Sequence, residues 1–413
     1  MSAWLSIVGL GADGPSGLAP AARALIDAAE VLVGGERHLA LAGNEKAERL
    51  TWRLPLADVI AEIAARRGRH VVVLATGDPM AYGIGTTLVR HFDQGEMTIL
   101  PAPGAFSLAA ARLGWPLDET TCMTLHGRPL DLLNFHLQPG ARLLILSHDG
   151  TTPAAVATRL CEAGYDGSRL VVLENMGGSG ETKIETTAAG FDGRRTADLN
   201  SLAIDCAAGP RARILPHVPG LPDDAFVHDG KITKRAVRAA TIAALGPRPG
   251  QTLWDLGAGS GSIAIEWLRS TQNAQGRGAT AIAVERDAAR LATIAANAMA
   301  LGTPFIDIRA GDMATVLPNL PAPDAVFIGG GLSIPDLIAT VWLRLAPGGT
   351  LVANAVTLEG ESVLAQAYRD FGGTLERIAV SHAEPVGTLT GWRPAMAVTQ
   401  WSAAKRPVPL SAV

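Results

Sequence analysis

The stretch Leu253-Trp254-Asp255-Leu256-Gly257-Ala258-Gly259-Ser260-Gly261-Ser262 decides the fold of the second half of this chain. A short apolar run beginning at Thr252 reads as a buried strand, and glycines at alternate positions then end it. Gly257, Gly259 and Gly261 let the backbone turn sharply and come close to a ligand. A helix over Ser262–Ser270 follows, and its first N–H groups face that ligand. Strand, G-x-G-x-G, helix is the geometry of a nucleotide loop in a doubly wound α/β fold. Asp255 closes the strand; it accepts from a ligand amine or orders the loop. Glu285, in Ala283-Val284-Glu285-Arg286-Asp287, ends the next strand, where an acid takes ribose hydroxyls. NAD sites favour G-x-G-x-x-G, and here the sixth position is Ser262. The spacing therefore points to S-adenosylmethionine (SAM) ahead of NAD, with Asp255, Gly257, Gly259, Ser260, Gly261 and Glu285 as cofactor-binding candidates. Asp312, in Gly311-Asp312-Met313, fits an adenine-edge contact or a helix N-cap. The triple glycine of Asp324–Gly331 lies at the carboxyl edge of the sheet. It makes room for a bulky planar ligand or forms a plain loop.

Working outward, this unit opens with a helix over Lys234–Ala244 and a turn at Gly246–Gly250. Strands are expected at Thr252–Leu256, Ala281–Val284, Phe305–Ile308, Ala325–Ile328 and Thr350–Asn354, with helices between them. Gly373–Ser381 and Ala395–Trp401 read as a closing antiparallel hairpin. Upstream, residues 211–222 read as a linker, because prolines and glycines crowd the stretch from Gly209 to Pro222. The domain units are thus 1–210, in lobes of about 1–115 and 118–210, and 223–413. The first lobe alternates strands at Trp4–Val8, Val31–Val33, His70–Ala75 and Thr98–Leu100 with helices near Pro20–Ala29, Ala57–Arg67, Gly83–Phe92 and Ala105–Leu113. That alternation predicts a mostly parallel sheet. The second lobe carries strands at Arg142–Ser147, Leu170–Glu174 and Leu202–Asp205 and a helix at Pro153–Ala163. The fold class is α/β throughout.

Apolar residues make up 48% of the 413 and charged residues 18%, so the chain folds rather than staying disordered. A net charge of −4 argues against nucleic acid and anionic membranes as partners. Cys122, Cys161 and Cys206 are far apart and suggest neither a disulfide framework nor a zinc site. No apolar run reaches the roughly 20 residues that span a bilayer. The N-terminal MSAWLSIVGLGADG has no basic region and runs straight into a strand, so it reads as mature protein in the cytoplasm. A homo-oligomer is expected.

The first half has its own glycine loops. Gly9-Leu10-Gly11-Ala12-Asp13-Gly14 matches G-x-G-x-x-G, but no well-placed acid ends the next strand. Ala75-Thr76-Gly77-Asp78-Pro79-Met80-Ala81-Tyr82-Gly83 is a stronger signal, since it ends a strand and starts a helix. Asp78 can bind a cationic or hydroxyl-bearing ligand, and Pro79 fixes the turn. Pro103-Gly104-Ala105-Phe106-Ser107 opens another helix at the same sheet edge. Gly9, Gly77, Asp78, Pro79, Gly83 and Ser107 are the candidates around this second pocket.

Together these motifs resemble the precorrin methyltransferases of cobalamin biosynthesis. Residues 1 to about 210 resemble the CbiE-like branch of the tetrapyrrole methylase family. The resemblance runs through IVGLG, VLVGGERHL, ATGDPMAYGIG, PAPGAFSLAAARLG, LHGRP and VLENMGGSGE. Residues from about 220 to 405 resemble the CbiT-like branch of Rossmann-type methyltransferases, through DAFVHDGKITKRAVRA, LWDLGAGSGSIAIEW, AVERD and LAPGGTLVANAVTLE. Two departures stand out: Gly11-Ala12-Asp13 replaces a common Gly-Pro-Gly, and Ser107 stands alone where a Ser-Ser pair is common. The resemblance implies one SAM site per domain and no metal. It also implies methyl transfer to C-5 and C-15 of a precorrin ring, with loss of CO2 from the C-12 acetate, precorrin-6B giving precorrin-8. The first half would serve C-5 and the second half C-15 and the decarboxylation.

A precorrin carries many carboxylates, so Arg and Lys side chains should hold it. Lys231, Thr233, Lys234, Arg238 and Arg393 are candidates in the second half. Arg37 and Arg128, with His126, are candidates in the first. His217 and His228 flank the linker and read as structural; Glu359 after Asn354 is a looser candidate. Three alternatives stay open: an RNA or protein methyltransferase, a SAM-binding protein with only the second domain active, and a cobalt-containing ring as substrate.

Overall fold

β1 (Leu5–Leu10) is buried at every position, as a central parallel strand covered on both faces must be. In the computed structural model, which describes residues 3–274 and 276–406, it lies inside a five-stranded sheet. The first lobe runs β1, α1 (Pro20–Asp27), β2 (Val31–Gly34), α2 (Glu36–Ala42), β3 (Glu48–Thr51) and α3 (Leu56–Ala64). It continues with β4 (Val71–Thr76), α4 (Gly85–Leu88), β5 (Met97–Leu100) and α5 (Ala105–Leu113). The order β3-β2-β4-β1-β5 is wholly parallel, as the alternation predicts. The expected helix over Gly83–Phe92 shrinks to the single turn of α4, with Gly83 packed against the Pro79 backbone in the loop before it.

The second lobe holds β6 (Thr121–Thr124), β7 (Arg142–Leu146), α7 (Thr152–Glu162), β8 (Arg169–Glu174), β9 (Thr182–Thr187) and β10 (Asn200–Asp205), with α6 (Leu133–His136) between β6 and β7. Its sheet order is β6-β7-β10-β8-β9, with β6 and β7 parallel and the rest antiparallel. The edge strand β9 is polar and largely exposed, which blunts the edge.

Two compact units result. One takes the chain up to Arg128 together with Gln138–Arg213. The other takes the described chain from Ile214 onward together with Pro129–Leu137, so α6 belongs to the second unit.

The second unit runs α8 (Arg235–Leu245), β11 (Thr252–Leu256), α9 (Ser262–Arg269), β12 (Thr280–Glu285), α10 (Ala288–Ala300), β13 (Asp307–Ala310), α11 (Met313–Val316) and β14 (Ala325–Ile328). Then come α12 (Leu337–Arg344), β15 (Thr350–Ala355), α13 (Leu358–Phe371), β16 (Thr374–Ile378), β17 (Ser381–Val386), β18 (Leu389–Pro394) and β19 (Val398–Ala404). The sheet order is β13-β12-β11-β14-β15-β19-β16. The first five strands are parallel, and β19 is antiparallel to both neighbours. The order reverses between β11 and β14, where a crevice opens at the carboxyl ends of the strands. Trp254, Leu256, Val326 and Ile328 fill the core on one face of this sheet, and Leu253, Ile263, Trp267 and Ile294 the other.

Two expectations shift. β13 begins two residues later than Phe305, whose ring is half exposed. The closing hairpin is interrupted: β16 and β19 pair, but β17 and β18 form a separate two-stranded ribbon between them. No helix among the described residues is long and apolar enough to cross a membrane.

Candidate active sites

The loop after β11 winds as its glycines allow. Gly257, Gly259 and Gly261 have φ of 73°, 61° and 77°, a region that side-chain-bearing residues rarely enter. A Cβ on Gly257 would lie 3.1 Å from the Cα of Gly330, so the loops after β11 and β14 approach backbone to backbone at the switch point. Within the triple glycine, Phe327 fills the space beside Gly329 and Met313 that beside Gly331, while a Cβ on Gly330 would meet nothing nearer than 3.9 Å.

Asp255 and Glu285 hold this loop from two sides. Asp255 is buried, and its Oδ2 accepts the N–H of Ala264 at 3.0 Å, inside the first turns of α9. Glu285 Oε2 accepts the N–H of Gly259 at 2.9 Å, while its Oε1 accepts from Arg286 and Asp287. Among the described residues, two buried oxygens have no hydrogen-bond partner, Asp255 Oδ1 and Ser260 Oγ. Burial pushes the Asp255 carboxyl up to about 7; the Ala264 N–H opposes the rise, and the Glu285 charge adds to it. Orphaned polar atoms are costly in a protein interior, and a ligand amine or hydroxyl would satisfy them. The residues present therefore fit an adenosyl amino-acid ligand.

The substrate candidates divide. Lys231 and Lys234 are exposed and Thr233 is half-buried in the segment that leads into α8. Arg238 does not join them. It is fully buried: its Nε donates to Glu266 Oε1 at 2.6 Å, its Nη1 to Asp223 Oδ1 at 3.0 Å, and its guanidinium also bonds the carbonyls of Thr233 and Leu221. With all three guanidinium nitrogens donating inside the fold and the side chain fully buried, it cannot fork a substrate carboxylate. Helical spacing carried the signal, since Arg238 shares the buried face of α8 with Thr241, Ile242 and Leu245. Arg393 is exposed on the β17–β18 ribbon and pairs with Glu384 at 3.1 Å. Asp312 stands at the start of α11 with its side chain exposed, and it makes no cap hydrogen bond. Glu359 is exposed in the first turn of α13, and Asn354 bonds Thr241 and Gln400. His228 accepts the N–H of Gly230, and His217 stacks on Phe135.

In the first unit, three strand ends meet. The N–H of Gly77 donates to Leu10 O at 3.1 Å, and that of Ala102 donates to Gly77 O at 3.2 Å. A Cβ on Gly9 would lie 2.0 Å from Gly77 O and 2.5 Å from Ala102 N, so only glycine fits there. Asp78 Oδ1 accepts the N–H of Met80 at 2.8 Å, closing the turn. Pro79 is buried, and Gly83 packs on its carbonyl. A cleft beside these loops is lined by Gly11, Arg37, Gly77, Pro103, Met176 and Asn200, drawing on both lobes. Ser107 is exposed on α5. His126 is exposed and faces His148 at 5.2 Å, and Arg128 is half-buried two residues on.

Two features here escaped the sequence reading. Tyr82 adopts φ 61°, strained for an aromatic residue, and meets Phe106 edge-on at 5.8 Å. His38 Nε2 lies 2.9 Å from Thr76 Oγ1; burial and then the Arg37 charge hold its imidazole below its ordinary pKa. The motif GGERHL marked the place, but not which side chain turns inward.

A glycine loop braced by two acids in one unit, and a two-lobed glycine-edge cleft in the other, define a class: a methyltransferase made of two unlike domains. The family described as Tetrapyrrole (Corrin/Porphyrin) Methylases matches residues 5–192, and that described as Precorrin methyltransferase domain matches residues 224–405. A precorrin-6Y C(5,15)-methyltransferase (decarboxylating) from Sinorhizobium sp is 47% identical over 97% of this chain and 96% of its own. A cobalt-precorrin-7 C(5)-methyltransferase from Salmonella typhimurium is 35% identical over 42% of this chain and 85% of its own. A solved C-terminal domain of precorrin-6Y C5,15-methyltransferase from Rhodobacter capsulatus is 44% identical, covering 46% of this chain and 100% of that one with a TM-score of 0.43. The chain belongs to the precorrin-6Y C(5,15)-methyltransferase (decarboxylating) family.

Proposed function

We propose that this enzyme methylates C-5 and C-15 of a metal-free precorrin in cobalamin biosynthesis and removes CO2 from its C-12 acetate, taking precorrin-6B to precorrin-8. The second unit serves C-15 and the decarboxylation, and the first unit serves C-5. The observation that carries this reading is the braced loop Gly257–Ser262 with Asp255 Oδ1 and Ser260 Oγ buried and unpartnered behind it. A half-length relative named for C-5 alone supports the division of labour.

SAM supplies a methyl group already activated on sulfonium, and each domain has a loop system suited to hold one molecule. Asp255 would take the ligand ammonium, and Glu285 would take the ribose hydroxyls by sharing the oxygen that now accepts from Gly259. In the first unit, Gly9, Gly77 and the turn Asp78–Gly83 would frame the adenosyl group. The nucleophile is an electron-rich ring carbon, so the chain needs no strong base. Holding the two reactants in line can supply about 7–11 kcal/mol of barrier lowering. Lys231, Thr233 and Lys234 would hold propionates and acetates of the ring in the second unit, as Arg37 and Arg128 would in the first. The conjugated macrocycle stores the electrons left by CO2, so the protein has only to orient the acetate and shield it from water.

The test uses the full chain with SAM and precorrin-6B, with product mass as the readout. The wild type should add two methyl groups and release CO2. Asp255→Ala should lose one methyl group together with the CO2 loss, and Gly9→Val should lose the other methyl group alone. An Asp255→Ala protein that still yields the doubly methylated, decarboxylated product overturns the assignment.

A further inference from the structure

In the second unit, one helix grips both sides of the site. Arg290, Ile294 and Asn297 lie at helical spacing on one face of α10. Asn297 is only 1% exposed. Its Nδ2 donates to Ser260 O at 2.9 Å, in the glycine loop, and to Val227 O at 2.9 Å. Its Oδ1 accepts the N–H of Val227 at 2.8 Å. Ile294 packs where a Cβ of Gly261 would fall, with its Cγ2 2.9 Å from that position. Arg290 Nη2 holds Asp229 Oδ2 at 2.6 Å. Glu285, just before the helix, holds the N–H of Gly259.

Consecutive loop residues 259, 260 and 261 are therefore held by Glu285, Asn297 and Ile294. Residues 227 and 229, which lead directly into Lys231, Thr233 and Lys234, are held by Asn297 and Arg290. Among the described residues, Asn297 alone bonds both segments. A carboxamide suits this post because it offers an acceptor and two donors on one short stem. A carboxylate would set oxygens against the two carbonyls.

We infer that Asn297 is a positioning residue that couples the cofactor loop to the segment Val227–Lys234, so that an adenosyl ligand on the loop also orders the residues that meet the substrate carboxylates. The inference rests on the proposed cofactor site and adds a linkage between that site and the substrate side. Ordering shared by two segments lowers the entropic cost of the second binding event, and the coupling is reciprocal.

Amide hydrogen exchange of the full-length protein, with and without S-adenosylhomocysteine as probe, tests this, because it locates protection on the chain. In the wild type the probe should slow exchange at Gly257–Ser262 and also at Val227–Lys231. In Asn297→Asp the protection at the loop should remain and that at Val227–Lys231 should disappear. The KM for the precorrin should rise about tenfold, the loss expected for one charge-assisted or buried contact, with kcat changed less. Asp229→Asn, which loosens the same segment at an exposed ion pair, should show a partial loss even where the Asn297 variant folds poorly. A residue of purely structural value would lower overall stability and leave the probe-linked protection intact. That outcome, or loop protection in the wild type without any change at Val227–Lys231, overturns the inference. Absence of probe protection at the wild-type loop overturns the cofactor site itself and the inference with it.

Discussion

The Phe135 ring lies flat on the His217 imidazole, with centroids 4.2 Å apart and planes 12° from parallel. His217 Nε2 also bonds Phe135 O at 2.9 Å, and the Arg269 guanidinium covers the ring at 5.0 Å. A Cβ on Gly302 would lie 2.6 Å from Phe135 N, so glycine provides the notch that seats this strap. The next residue, His136, is buried with its Nε2 unpartnered.

The strap makes the second unit sensitive to acid. Burial, then the His217 and Arg269 charges, lower the His136 pKa from 6.5 to about 4. Between those values the unfolded chain binds a proton that the folded chain refuses, so stability falls as pH drops from 6.5 towards 4 and this contribution then levels off. The loss is on the order of 3 kcal/mol. Urea midpoints of the wild type and His136→Leu across this window check it: the wild type should decline more steeply. Parallel declines would show that His136 is not the source.

Asp255 should respond in the opposite sense. Its pKa is raised from 3.8 to about 7, chiefly by burial, so the folded chain holds a proton that the unfolded chain releases, and stability falls as pH rises from about 4 to 7. Asp255→Asn removes that slope and should match or exceed wild-type stability at pH 8. It should bind S-adenosylhomocysteine about tenfold or more weakly, having lost the charge that on the proposed reading would meet the ammonium. Below pH 7, binding to the wild type should release a proton, readable by calorimetry in buffers of different ionisation heat. Equal heats in all buffers would count against ionisation of Asp255 by the ligand.

Arg238 should behave as a structural cation. Arg238→Met leaves Glu266 buried without its partner, at a cost of about 3–5 kcal/mol. Arg238→Met with Glu266→Gln should recover part of that. Neither change should alter the salt dependence of substrate binding, whereas Lys231→Ala should weaken binding and flatten that dependence. A specific rise in KM for Arg238→Met at unchanged unfolding midpoint would restore it to the substrate site.

The glycine loop was legible because its demands are local. Positive φ at Gly257, Gly259 and Gly261 leaves a mark in composition, and the acids at the ends of β11 and β12 occur at fixed offsets from it. Ala105–Leu113 and Thr252–Leu256 fall within the predicted bounds for the same reason. β3, with ERLT, and β9, with TKIETT, were missed because polar edge strands have no apolar run to announce them. Partners distant in sequence were illegible too. Arg238 reads as a free cation until Glu266 is folded beneath it, and Pro129–Leu137 reads as a loop of the first half until Phe135 finds His217. The same limit hid Asn297, whose side chain means little until Val227 and Ser260 arrive beside it.

β19 has a consequence for synthesis. It lies between β15 and β16, pairing with Thr350–Ala355 on one side and Thr374–Ile378 on the other. Both of those strands leave the ribosome first; β15 can pair with β14, but its other edge and the whole of β16 wait until residues 398–404 emerge. The seven-stranded sheet therefore cannot close while the chain is still being extended through this region. During that interval the edge of β15, apolar at Leu351, Val352 and Ala353, is open to pairing with another nascent chain. Chains stalled before Val398 should be recovered as aggregates, while those released past Ala404 fold.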